Sequence, residues 1–200
     1  MPDVGNEKAS ETFTMTHPAA EKPMSLEEFL AWEEKQPEKH EFIRGEIFAM
    51  VGVTRQHATV AGNVFSSLRQ HLRGTPCRVY MADMKLKLDL ADAFFYPDGF
   101  VTCSEADHRA ERYMTEPRLI VEVLSESTEA YDRGEKFAKY RKCPSLAEYV
   151  LIDPIKRNSE IFRRDASGHW VLYEYGENDP VFFQSLELAI ESTVLYENAD

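Results

Sequence analysis

Two acidic residues, Asp98 and Glu122, have the setting of carboxylates that hold a metal ion. Asp98 follows Pro97 at the end of a strand-like segment, and Glu122 interrupts the apolar run RLIVEVL at 118–124. An apolar strand of this kind is buried on both faces, so a carboxylate inside it needs a partner. Carboxylate oxygens bind hard cations such as Mg²⁺, which polarise phosphoryl oxygens and activate water. If the two segments pair as neighbouring strands, both carboxylates can reach one metal ion, and the pattern favours phosphodiester hydrolysis.

A cation near the scissile phosphate would complete such a site, because it stabilises the developing negative charge. In the pattern (D/E)xK the lysine comes two residues after the acid, but that position here is Leu124. The helix predicted over 128–141 offers a substitute, since three of its residues share one face at four-residue spacing: Asp132, Lys136 and Tyr140. We predict that Lys136 reaches the site from this helix. The alternative is an exposed Asp–Lys pair on the helix surface.

Three further residues are secondary candidates. Glu46 lies in an early strand after a turn and is either an additional metal ligand or a solvated hairpin charge. His57 begins a long helix, where it is either a base or phosphate contact, or a helix cap at the edge of the core. Tyr140 either packs in the core or donates a hydrogen bond to a site carboxylate.

The elements around these residues predict an α/β fold. A capping box, Ser25 with Glu28, starts a short helix that runs to about residue 34, and 41–50 predicts two short strands around a turn at Gly45. Apolar residues at three- and four-residue steps predict a long amphipathic helix over 56–73. Further strands are predicted at 78–81, 84–88, 93–96, 100–103, 118–124, 148–152, 160–164 and 169–175. The strand that contains Glu122 is expected at the centre of a mixed sheet.

Composition limits the class of protein. A chain of 200 residues with 43% hydrophobic residues predicts one domain, here 24–200, after a polar, disordered extension over 1–23. A net charge of -12 argues against binding of nucleic acid by bulk electrostatics, so any such contact is local. The odd number and wide spacing of the cysteines indicate reduced thiols. Because no apolar run approaches the roughly 20 residues that cross a bilayer, we expect a cytoplasmic protein without membrane contact.

Several segments resemble the Uma-type restriction endonuclease family of the PD-(D/E)xK superfamily. They are HEFIRGEIFAM, FYPDGFVTC, LIVEVLSEST, YDRGEKFAKYRK and SLAEYVLIDP, together with the helix that carries His57. The resemblance covers roughly 24–192. It implies a restriction-endonuclease-like fold, with a mixed central β-sheet flanked by helices and an N-terminal helix and hairpin. It also implies a divalent metal ion, Mg²⁺ or Mn²⁺, at Asp98 and Glu122, and a catalytic lysine that has moved to the helix position of Lys136.

Two functions follow as hypotheses. The first is a metal-dependent endonuclease that hydrolyses DNA phosphodiester bonds, with Asp98, Glu122 and Lys136 as its catalytic residues. The second is a catalytically inactive module that keeps the fold and binds nucleic acid or protein, which the net charge and Leu124 favour. A hydrolase with a serine or cysteine nucleophile is set aside, because the sequence lacks a GxSxG elbow or a placed Cys–His pair. A homodimer is expected because two cuts in a duplex suit two-fold symmetry.

Overall fold

A computed structural model describes residues 23–50 and 52–200. The extension predicted over 1–23 lies outside the described residues, except for Pro23. The helices are α1 (Leu26–Glu33), α2 (Arg55–His71), α3 (Glu105–Arg109), α4 (Glu129–Tyr131), α5 (Phe137–Tyr140) and α6 (Ser192–Leu195), with a π-helical segment at Asp132–Lys136 between α4 and α5. Within this part of the chain, none of the helices has the length and apolar character that crossing a membrane requires.

Within residues 23–50 and 52–200, the strands form three sheets. They are β1 (His40–Ile43), β2 (Glu46–Ala49), β3 (Arg78–Tyr80), β4 (Lys85–Leu88), β5 (Ala93–Phe95), β6 (Gly99–Thr102), β7 (Tyr113–Met114), β8 (Pro117–Val123), β9 (Glu148–Asp153), β10 (Asn158–Arg164), β11 (Trp170–Tyr175), β12 (Val181–Phe183) and β13 (Leu188–Ile190). The largest sheet has the order β11-β10-β9-β8-β6-β3, and β8 pairs in parallel with β9 but antiparallel with β6. A second sheet has the order β2-β1-β5-β4-β7, and β12 pairs with β13. The predicted mixed sheet with β8 at its centre is confirmed.

The N-terminal helix and hairpin form as the sequence predicts. The side chain of Ser25 accepts from the backbone of Glu28, whose own side chain accepts from the backbone of Ser25. In the hairpin turn, Arg44 and Gly45 have φ angles of 50° and 91°, and positive φ at both central residues is what a tight type I′ turn requires. A Cβ at Gly45 would lie 2.6 Å from the Cβ of Pro23, so glycine is also needed for space.

The alternation of side chains along β8 divides the core into two clusters and determines the face on which Glu122 lies. Its odd-numbered residues pack with α2 on one face of the sheet: Leu119, Val121 and Val123. Ile120 and Leu124 pack on the opposite face, in the cluster that contains Tyr140. Because side chains alternate along a strand, Glu122 faces the same side as Tyr140 and the helix α5.

The expectation of reduced cysteines is wrong for two of them. Cys77 and Cys103 form a disulfide, whereas Cys143 is free and buried. The cause is strand register: Arg78 of β3 lies opposite Thr102 of β6, which makes the cysteines just beyond these two residues cross-strand neighbours. Spacing along the sequence does not reveal a pairing that depends on which strands become neighbours.

Candidate active site

Strand pairing brings Asp98 and Glu122 together. Gly99 of β6 lies opposite Val121 of β8, so Asp98, just before β6, lies beside Glu122. The backbone N–H of Val123 donates a hydrogen bond of 2.8 Å to Oδ2 of Asp98. The sequence predicts this proximity from the pairing of the two segments, and the structure provides it.

Glu122 is almost completely buried and has two polar neighbours. The hydroxyl of Tyr140 donates to its Oε1 at 2.8 Å, and Nζ of Lys136 lies 2.9 Å from the same oxygen. Burial raises the pKa of Glu122 to about 8, with the positive charge of Lys136 opposing the shift and the negative charges of Asp132 and Asp98 adding to it. The tyrosine therefore does donate to a site carboxylate, in addition to packing in the core.

Lys136 reaches Glu122 from the π-helical segment. Its ammonium also lies 3.2 Å from Oε1 of Glu41 and 3.6 Å from Oδ1 of Asp132. Burial alone would lower the pKa of Lys136, but the charges of Glu122 and Glu41 outweigh it and raise the pKa well above its usual value. An extra residue in a helical turn changes which side chains share a face, and such π segments are frequent at functional sites. Lys136 is a buried ion-pair partner, and the alternative of an exposed helix pair is wrong.

Asp132 belongs to the same group. Its side chain is buried, and burial raises its pKa while the charge of Lys136 opposes the shift. The hydroxyl of Tyr149 donates to the backbone oxygen of Asp132 at 3.0 Å, which ties the π-helical segment to β9. Asp132 thus faces Lys136 from one turn earlier.

Glu41 is the member of the group that the sequence prediction missed. It lies in β1, and burial raises its pKa, with Lys136 opposing the shift. Glu46 is instead exposed at the start of β2, opposite Ile43 beside the hairpin turn, and makes none of the ion pairs of the group. Alternation offered a signal, because Glu41 is two residues before the buried Ile43 and therefore shares its face.

His57 contacts the other acid of the pair. It lies in the first turn of α2, where its backbone N–H donates to the side chain of the N-cap residue Thr54 at 3.2 Å. Its Nε2 lies 3.2 Å from Oδ2 of Asp98. Burial lowers the pKa of His57, but the hydrogen bond and charge of Asp98 outweigh burial and leave the pKa raised.

The donor set suits a hard divalent cation. Among the residues that the structure describes, the group combines four carboxylates, Glu41, Asp98, Glu122 and Asp132, with one ammonium and one imidazole. Buried carboxylates in excess over cations favour a further positive charge, and their oxygens are the ligands that Mg²⁺ and Mn²⁺ prefer. The described ranges hold no set of three or more His, Cys, Asp or Glu side chains spaced for a metal ion. The metal ion would therefore have two protein ligands, Asp98 and Glu122. Mg²⁺ is commonly held by one or two carboxylates.

Comparison with known proteins gives relatives over most of the chain. The uncharacterized protein slr1290 of Synechocystis sp. is 36% identical over 173 residues, which cover 86% of this chain and 91% of that protein. A second uncharacterized protein of the same organism, sll1609, is 32% identical over 173 residues, which cover 85% of this chain and 98% of that protein.

A crystal structure from Anabaena variabilis, described as "a putative nuclease belonging to DUF820", superposes with a TM-score of 0.72. It is 18% identical, and the match covers 89% of this chain and 100% of that chain, which shows a shared fold. The model of one protein family, Uma2, matches residues 26–194. This chain therefore belongs to the Uma2 family, which is described as "Putative restriction endonuclease".

Proposed function

We propose that this protein is a divalent-metal-dependent endonuclease that hydrolyses DNA phosphodiester bonds. The observation that carries the proposal is the placement of Lys136, whose ammonium lies 2.9 Å from Glu122 while Asp98 lies beside Glu122 on the neighbouring strand. Two carboxylates with an adjacent cation are the groups that metal-assisted phosphodiester hydrolysis needs. The descriptions of the family and of the Anabaena protein support the nuclease class.

Six residues at the site have roles in this chemistry. Asp98 and Glu122 would hold Mg²⁺ or Mn²⁺, which when bound supplies polarisation of a phosphoryl oxygen and an activated water molecule. Lys136 would place a fixed positive charge beside the phosphate, where negative charge develops in the transition state. Tyr140 donates to Glu122 and keeps that carboxylate oriented. Glu41 and Asp132 face the ammonium and hold it at the site.

One observation favours the alternative of an inactive binding module. The side chain of Lys136 is only 8% exposed and is already paired with three carboxylates. A lysine held in this way would stabilise the fold even if the protein never cleaved a substrate. The experiment below separates the two functions.

The test is cleavage of supercoiled plasmid and single-stranded DNA by the purified full-length protein with Mg²⁺, with Mn²⁺ or with chelator. The variants are Glu122→Gln and Lys136→Ala, and the matched controls are the exposed residues Glu174→Gln and Lys35→Ala. We expect metal-dependent cleavage that falls at least about 100-fold in both site variants and is retained in both controls. A Glu122→Gln variant as active as the wild type would contradict the assignment of Glu122 as a metal-binding catalytic residue. Binding of Mn²⁺ that depends on Glu122, without cleavage of either DNA, would favour the binding module.

The homodimer and the cytoplasmic location stay predictions. The surface that bears on the homodimer is β11, an edge strand of the largest sheet. The exposed fractions of its Val171, Leu172 and Tyr173 are 40%, 44% and 42%. Sedimentation velocity at several protein concentrations measures the oligomeric state. A dimer would be expected to linearise plasmid directly, whereas a monomer would be expected to nick one strand first.

A further inference from the structure

The contacts of Asp98 are concentrated on one of its two carboxylate oxygens. Oδ2 accepts the backbone N–H of Val123 at 2.8 Å, and Nε2 of His57 lies 3.2 Å from the same oxygen. Neither contact uses Oδ1. A protonated ring nitrogen of His57 at this distance can donate a hydrogen bond to Oδ2. Two donors on a single oxygen fix the rotation of the carboxylate and leave the other oxygen for a cation.

Asp98 needs such a restraint more than its partner does. It lies in the short connection between β5 and β6, and 23% of its side chain is exposed, against 5% for Glu122. Glu122 is held inside a buried strand with two polar neighbours. A carboxylate that rotates freely loses conformational entropy when it binds a metal ion, and a restrained one has lost it already.

His57 is well placed to supply the restraint. It is 6% exposed, and its backbone is fixed by the cap at Thr54 in the first turn of α2. One and two turns further on, Val60 and Val64 anchor this helix in the core cluster that includes Val121 of β8. The imidazole is therefore attached to the same rigid layer as the strands that carry the acids. A buried ring that already faces a carboxylate is poorly placed to contact a phosphate directly.

We propose that His57 is a positioning residue, which holds Oδ2 of Asp98 and thereby presents Oδ1 to the metal ion. This rests on the proposed function in one respect, that Asp98 is a metal ligand. Residues that orient a metal ligand through a hydrogen bond typically change metal affinity by about 10- to 100-fold when they are replaced. The effect on metal binding should appear without any nucleic acid.

The test is titration of the full-length protein with Mn²⁺ in an isothermal calorimeter, in the absence of DNA. We expect His57→Leu to weaken Mn²⁺ binding by about 10- to 100-fold. His57→Gln, which can present an amide N–H to Oδ2, should restore most of the affinity. His71→Leu is the control, because it removes another histidine of α2 whose Nε2 bonds to the backbone oxygen of Leu186 at 2.8 Å, away from the site. That variant should bind Mn²⁺ like the wild type.

Thermal unfolding of the metal-free variants shows whether each is folded before its affinity is compared. A folded His57→Leu variant with wild-type affinity would overturn the proposal, as would a His57→Gln variant no better than His57→Leu. A wild-type protein that binds Mn²⁺ but cleaves no DNA contradicts the proposed function and leaves the role of His57 supported by the binding data. A wild-type protein that binds no Mn²⁺ would overturn both.

Discussion

The ammonium of Lys136 lies 2.9 Å from Oε1 of Glu122, although one residue comes from a π-helical segment and the other from the central strand of the largest sheet. The same ammonium faces Glu41 and Asp132. Burial raises the pKa of all three acids, and in each case the charge of Lys136 opposes the shift. Lys136 is therefore central to the stability of the buried acidic group as well as to its proposed chemistry.

Replacing Lys136 with methionine should strongly destabilise the metal-free protein. The change keeps the volume but leaves Glu41, Glu122 and Asp132 buried without their cation. We expect the free energy of unfolding to fall by about 3–5 kcal/mol, measured by urea denaturation at neutral pH. The exposed Lys35→Met should change it by no more than about 0.5 kcal/mol. In the double variant Glu122→Gln/Lys136→Met the loss should be smaller than the sum of the single losses, and strict additivity would contradict the pairing.

The first hairpin contains two glutamates, and only Glu41 should affect cleavage. Glu41→Gln removes a charge that lies 3.2 Å from Lys136, so the ammonium loses one of the groups that position it. We expect the rate of plasmid cleavage to fall by about 10- to 100-fold. Glu46→Gln is the matched control, since that side chain is exposed at the hairpin turn. The opposite order of effects would mean that Glu46 takes part in the reaction, which is one of the two interpretations that the sequence left open.

Periodicity predicted the parts of this fold that a single segment determines. The apolar run around Glu122 indicated a central strand, and four-residue spacing indicated that Asp132, Lys136 and Tyr140 share a face. The π-helical turn at Asp132–Lys136 was not predicted, because side-chain spacing alone does not distinguish one π turn from the α-helix around it. The role of Glu41 was missed because its partner, Lys136, comes from a distant part of the chain.

The C-terminal hairpin of β12 and β13 is another element that the sequence pattern did not predict. Each strand has three residues, too few for alternation to be read from the sequence. What fixes the start of the connection between them is Glu148 of β9, whose carboxylate accepts the backbone N–H groups of Gln184 and Ser185 at 3.0 and 2.8 Å. Arg163 donates to the same carboxylate at 2.8 Å. The buried ion pair of Arg163 and Glu148 thus positions the connection between β12 and β13, whose own sequence pattern is too short to predict its structure.

The disulfide between Cys77 and Cys103 should make stability sensitive to reductant. It closes a loop with a sequence separation of 26, and cross-links of this kind typically contribute about 2–4 kcal/mol. Urea unfolding with and without a phosphine reductant measures the difference, and the double variant Cys77→Ser/Cys103→Ser should not respond to reductant. Protein purified without reductant and then unfolded should expose only the thiol of Cys143. Finding three thiols would restore the expectation of reduced cysteines.

Acid stability should depend in part on Asp153 at the end of β9. Burial raises its pKa, but hydrogen bonds from the backbone N–H groups of Lys156 and Ile155 outweigh burial and leave the pKa lowered. A carboxyl whose folded pKa is below its unfolded value stabilises the protein above the unfolded pKa, and this contribution is lost as the pH falls through the folded pKa. Urea denaturation from about pH 6 to about pH 3 should therefore show a stability advantage over Asp153→Asn that shrinks on acidification. A constant difference would rule out this linkage.

Tyr140→Phe separates the two roles that the sequence left open for this tyrosine. The variant keeps the ring, which packs against Phe95, and removes only the hydroxyl that donates to Oε1 of Glu122. Loss of a donor to a buried acceptor should lower the free energy of unfolding by about 1–3 kcal/mol. Tyr196→Phe is the control, because it removes a buried hydroxyl, 3.3 Å from Ser159, on the opposite face of the sheet. If the hydroxyl orients Glu122, cleavage should fall by about 10-fold in the first variant alone. Equal cleavage by both variants would leave Tyr140 a packing residue, since the ring alone would then account for its place in the core.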